Sequence, residues 1–182
     1  MNYKKWIFIA VFLFGVGLVF GLATPIGDIN LLSEDVAALQ ELGSILVPFR
    51  FFTVILILAK NVSVLLLSFA LSPIFCLMPI LALTVNGWLI AFISAIVVQE
   101  ESLSFALAGL LPHGIFELPA FILGEAAALS FGAMAILALF KKERRNLLLP
   151  GLKQNLRYLM VALVLLVPAA IVEIYITPLL LN

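Results

Sequence analysis

Read for hydrophobicity alone, the chain is a succession of long apolar runs separated by short polar breaks. A helix rises about 1.5 Å per residue, so crossing the roughly 30 Å hydrocarbon layer of a bilayer takes about 20 apolar residues. Five runs meet that length: Trp6 to about Pro25, Phe51 to Ser72, Phe75 to Val98, Leu103 to Phe140, and Tyr158 to Pro178. The pattern predicts an all-α integral membrane protein with five transmembrane helices, a single transmembrane domain over residues 1–182. The first run follows Lys4 and Lys5 as a secretory signal would, but it is longer than the usual apolar core of about 7–15 residues. Further spans follow it, so it reads as a retained helix.

Two segments depart from the simple span. The fourth run is too long for one straight crossing and contains Pro112 and Pro119. Proline removes a backbone donor and crowds the preceding turn, which predicts a broken fourth helix: a short half-helix from Leu103, then a long helix from His113. Between the first two runs, SEDVAALQELGSIL predicts an amphipathic outer helix over 33–47. Ser33 suits the N-cap, Glu34 and Asp35 suit the first turn, and Val36, Leu39, Leu42 and Leu46 make one apolar stripe. Such a helix can rest on the bilayer, pack over the bundle, or present a surface to another protein.

Composition fixes the solvent. Hydrophobic residues make up 65% of the chain and charged ones 11%, too few to cover a water-soluble globule, so lipid must contact most of it. Zero net charge gives no pull toward nucleic acid. The distribution of charge says more than its sum. Lys4, Lys5, Lys141, Lys142, Arg144, Arg145, Lys153 and Arg157 fall on one side of a five-span protein, and Arg50 on the other. The positive-inside rule then predicts a multi-pass protein of the cell membrane with a cytoplasmic N-terminus and the C-terminus outside. Asp28, Glu34, Asp35, Glu41, Glu100 and Glu101 all land outside in this arrangement. KKERRNLLLPGLKQNLR, residues 141–157, becomes a basic cytoplasmic linker suited to lipid headgroups. The lone Cys76 reads as a small core residue.

Against this background the stretch LPHGIFELPAFILGEAA, residues 111–127, carries a histidine and two glutamates. The other polar residues inside the runs are Lys60, Asn61, Asn86 and Glu173. Counting from the outer end of each run, Asn61, Asn86 and His113 lie at similar depths, on the order of 15–18 Å. A charge at the centre of a membrane helix costs roughly 2.5–3.5 kcal/mol or more, a cost that drops when the groups face one another. Asn61, Asn86, His113, Glu117 and Glu173 are therefore expected to form a buried polar site, with Lys60 and Glu125 as possible additions. His113 and Glu117 share a helix face at a spacing of four. Glu125 lies about 80° round the wheel from Glu117 and could meet a different partner or a second subunit.

ILAKNVSVLL, LTVNGWLIAF, LLPHGIFELPAFILGEAA and the late IVEIYITP resemble the stage II sporulation protein M family of membrane proteins. The likeness runs from about Phe51 to the end, and its specific part is the Asn-Gly and Pro-His-Gly-x-x-Glu elements. The resemblance implies that Asn61, Asn86, Gly87, His113, Glu117 and Glu173 are signature positions. It also implies kinship with a namesake that belongs to a cell-wall-remodelling membrane complex and associates with peptidoglycan-degrading partners.

Several chemistries remain open for the polar residues. His113, Glu117 and Glu173 could hold a divalent metal such as zinc, since imidazole and carboxylates suit it. A hydrogen-bonded network fixing helix register needs no ion. Glu117, Glu125 and Glu173 could instead carry protons or a cation, as in a transporter. Catalysis fits least well: one histidine excludes the H-E-x-x-H metalloprotease pattern, and neither Ser104 nor Ser130 sits in a nucleophile motif. Glycines 15, 17, 21, 124 and 132 permit close helix approach, which suits a homodimer. The expected function is a non-enzymatic scaffold or complex component at the cell envelope, with envelope protein partners and no nucleic acid. The alternative is a metal- or cation-binding protein or transporter built on the same residues.

Overall fold

In the computed structural model the described residues are 3–25 and 49–181. The expected 33–47 helix lies outside them. The described elements are α1 (Tyr3–Ala23), α2 (Phe51–Leu71), α3 (Leu77–Glu100), α4 (Leu103–Phe140), a 3₁₀ turn (Lys142–Leu147), α5 (Leu148–Tyr175) and a short α6 (Thr177–Leu180). Among the described residues five helices are long and apolar enough to cross a membrane, which is the make-up of a multi-pass membrane protein. Phe8, Phe12, Phe20, Phe51 and Phe52 lie exposed on their outer surfaces, as expected where the surrounding solvent is hydrocarbon.

The fourth helix corrects one expectation. It runs without interruption for 38 residues through both Pro112 and Pro119 instead of breaking at Pro112. Each proline removes one intrahelical hydrogen bond, whereas a break would strip the partners from up to four donors and four acceptors. In apolar surroundings the smaller loss wins. At the other end, α5 begins ten residues before the sequence pattern suggested. Most of the 141–157 segment is helical, with Gly151 and Leu152 packed back toward α4. Asn155, fully buried there, donates to the Gly151 carbonyl one turn back.

α4 is the axis of the bundle because its middle is made of small residues. Ala120, Gly124, Ala126, Ala127 and Ala128 are buried, and α5 packs along them through Leu159, Ala162 and Leu166. Small side chains let helix backbones approach closely where lipid offers no hydrophobic drive. The same device joins α1 to α3. A Cβ at Gly17 would strike the Thr84 carbonyl, and one at Gly87 would strike the Phe14 carbonyl, so the two helices meet backbone to backbone. The indole N–H of Trp88 donates to Thr24 Oγ1 at 2.9 Å near the end of this seam. Gly124 receives Leu65 of α2, and Gly132 receives the backbone of Ser72. Glycines 17, 21, 124 and 132, offered by the sequence for dimer contact, are thus engaged within the chain. Only Gly15 of that set faces open space.

The α2–α3 turn is tight. Phe75 and Cys76 both adopt left-handed backbone, φ 51° and 55°, at a cost of about 1–2 kcal/mol each for residues with a side chain. Cys76 is anchored against Gly132 and the Leu129 carbonyl, which holds the turn against α4. At the start of α1, the Tyr3 hydroxyl donates to the Leu123 carbonyl at 2.7 Å and its ring stacks on Tyr158. These contacts tie α1 to the α4–α5 pair.

Candidate functional site

The polar residues of the spans divide into two groups, about two helical turns apart along α4. The first surrounds Glu117. Asn61 of α2 donates through Nδ2 to Glu117 Oε1 at 2.9 Å. His113, one turn earlier on α4, places Nε2 at 3.8 Å from Glu117 Oε2. Asn86 of α3 and Lys60 of α2 line the same cleft as Asn61 and Glu117. Glu173, near the end of α5, lies within electrostatic reach of both Glu117 and Lys60. Four helices therefore bring Lys60, Asn61, Asn86, His113, Glu117 and Glu173 into one neighbourhood. The same α2–α4 packing that seats Leu65 on Gly124 sets Asn61 against Glu117 two turns earlier on α4.

The cleft is small, a cavity of about 40 Å³ lined by residues of α1, α2, α3, α4 and α5. Lys60, Asn61, Asn86 and Glu117 are its polar lining, and Phe14, Ile90, Phe121 and Leu166 supply apolar walls. It is not sealed: the Glu117 side chain keeps 30% of its exposure and that of His113 keeps 15%. His113 Nδ1 is buried and has no hydrogen-bond partner.

Glu125 stands apart. It is fully buried, and its Oε2 accepts a 2.5 Å hydrogen bond from the hydroxyl of Ser68 on α2, itself buried. Its second oxygen, Oε1, has no partner. Reasoning from the sequence missed Ser68, although a signal existed. Asn61 and Ser68 are seven apart on α2, hence on one face, matching the eight-residue step from Glu117 to Glu125 on α4. The two helices thus meet at two polar rungs, with Leu65 seated on Gly124 between them.

The expected divalent-metal triad does not assemble. Among the described residues no group of three or more His, Cys, Asp and Glu side chains is placed to hold a metal ion. His113 and Glu117 come together because they are one turn apart on α4. Glu173 comes within electrostatic reach of Glu117 and Lys60 from α5.

The sequence model of the family described as Stage II sporulation protein M matches residues 7–178. An uncharacterized protein of Methanocaldococcus jannaschii is 30% identical over 173 residues, covering 94% of this chain and 93% of its own length. No solved structure matches.

Proposed function

This chain belongs to the stage II sporulation protein M family, and from that premise we propose that it is a non-enzymatic scaffold or complex component of the cell envelope, acting as a homodimer. It sits in the cell membrane with its N-terminus cytoplasmic and its C-terminus outside, following the basic residues of the sequence. One observation carries the reading: the Glu117 carboxylate, well inside α4, is 30% exposed on the flank of a single chain. Facing lipid, a carboxylate at this depth costs on the order of 3 kcal/mol. Covering the cleft with protein removes most of that cost. A second copy is the simplest cover, and the apolar stripe in the sequence of residues 33–47 suits envelope partners.

The test is crosslinking in native membranes. Ser63→Cys, exposed on α2 beside the cleft, in a Cys76→Ser background should form a disulfide-linked dimer on mild oxidation. A monomer in bilayers by single-molecule photobleaching, with no crosslink, would remove the dimer. A second reading, cation binding or transport by the same residues, is favoured by the open cleft beside Glu117. Its test is flux into proteoliposomes, with Glu117→Gln expected to abolish it.

A further inference from the structure

We propose that the outer half of α4, residues 103–118, is an arm that pivots at Pro119 and is latched to α2 by the Asn61–Glu117 hydrogen bond. The proposal goes beyond both readings above and rests on neither; it concerns how the cleft beside Glu117 opens.

Packing divides α4 sharply. Of its twelve buried residues, eleven lie between Ala120 and its C-terminal end. Across residues 103–119 only Gly114 is buried, and Ser104, Leu107, Leu111 and Ile115 are exposed. A segment with few buried contacts moves at low cost, whereas one locked into the core moves only with it. The boundary between the two halves falls at Pro119.

The lightly packed half also carries the residues that soften a helix. Pro112 and Pro119 are the two prolines of α4. Each lacks the N–H that would bond four residues back, to Ala108 and to Ile115, and sharp bends in helices concentrate at such sites. Gly109 and Gly114 differ from the glycines of the seams. A Cβ at Gly109 would meet nothing nearer than Leu181 at 3.9 Å, and one at Gly114 nothing nearer than Leu118 of its own helix at 3.9 Å. Packing would accept alanine at both, so close approach does not explain them, and each weakens the helix locally. In the buried half the opposite holds: Gly124 and Gly132 are filled by neighbours, and no proline follows Pro119.

The latch lies just beyond the pivot. Glu117, two residues from Pro119, accepts from Asn61 Nδ2 at 2.9 Å across to α2. Glu117 and Leu118 line the cleft from the arm, while Phe121 lines it from the fixed half and Asn61 and Asn86 from α2 and α3. A swing therefore parts Glu117 from Asn61 and widens the cleft, leaving the Ser68–Glu125 rung in place. Leu107 lies twelve residues from the pivot, about 18 Å along the axis. A change of bend of about 20° moves it by about 6 Å.

The experiment measures distances between spin labels by double electron–electron resonance on the full chain in lipid nanodiscs, diluted with unlabelled chain. Labels sit on Leu107→Cys of the arm and Val19→Cys of α1, both exposed, in a Cys76→Ser background. The control pair is Val19→Cys with Leu139→Cys, exposed on the fixed half of α4. The expected result is two populations about 4–8 Å apart for the arm pair and one narrow population for the control. Asn61→Leu, or Glu117→Leu should that variant fail to fold, should raise the ratio of open to closed arm by about fivefold, the worth of one hydrogen bond. Pro119→Ala with Pro112→Ala restores the missing backbone bonds, so it does not threaten folding, and should merge the two populations into one. A single narrow population for the arm pair, in the unmodified chain and in the latch variant alike, would overturn the proposal. A spread of distances that survives the double proline variant would also overturn it, because the motion would then not arise at the pivot. Populations unmoved by the latch variant would overturn the role of Asn61 alone.

Discussion

Removing the Ser68–Glu125 pair as a unit should leave the bundle as stable as before, or more so. Glu125 is fully buried, with one oxygen bonded to Ser68 and the other unpaired. A buried polar atom without a partner costs about 1–3 kcal/mol, while a single intramolecular hydrogen bond contributes a net of about 0.5–1.5 kcal/mol. The balance is at best neutral for the native pair. Ser68→Ala strips the carboxyl of its only bond and should destabilise by about 1–3 kcal/mol. Glu125→Met removes the unpaired oxygen and keeps an apolar side chain of similar length, leaving the serine hydroxyl to turn to a carbonyl in its own helix. The double variant removes both and should match or exceed the unmodified chain, by up to about 2 kcal/mol. The assay is a double-mutant cycle by SDS titration in mixed micelles, expected to give a coupling of about 1–3 kcal/mol. Additive single effects, or a double variant as weak as Ser68→Ala, would refute the reasoning. A stability gain would also mean that Glu125 is held in the core for a reason other than folding.

Two further predictions concern packing and the turn. Gly17→Leu should destabilise by about 3 kcal/mol in the same assay, because its Cβ would meet the Thr84 backbone, which cannot swing aside as a side chain can. Gly15→Leu, with nothing nearby, should change stability by less than about 0.5 kcal/mol, and equal effects would discount the α1–α3 seam. Burial pushes the Cys76 thiol above its ordinary pKa. The reactive thiolate therefore forms only at higher pH, and alkylation by iodoacetamide should be slow near pH 7 and keep rising beyond the pH where a free cysteine levels off. A rate matching free cysteine at neutral pH would show that the turn opens readily.

The apolar runs specified five membrane-length helices because span length is a property of local composition: about 20 consecutive apolar residues suffice whatever surrounds them. The seams were half legible. Glycines 17, 21, 124 and 132 marked where backbones would touch, but which helix each would meet depends on the way the spans pack, and all four contacts proved to lie within one chain. Proline gave a misleading signal at position 112, since its local penalty is outweighed by the backbone bonds that a continuous α4 preserves in an apolar medium. The polar residues were conspicuous one by one, because each is costly in hydrocarbon. Their grouping was decided in three dimensions. Register between α2 and α4 set Asn61 on Glu117 and Ser68 on Glu125, while α5 brought Glu173 within electrostatic reach of Glu117 and Lys60, and the imidazole of His113 stayed beside Glu117 on its own helix. A sequence records which side chains need a partner; only the packed bundle chooses the partner, because hydrogen bonds and charges act across a few ångströms between helices far apart in the chain.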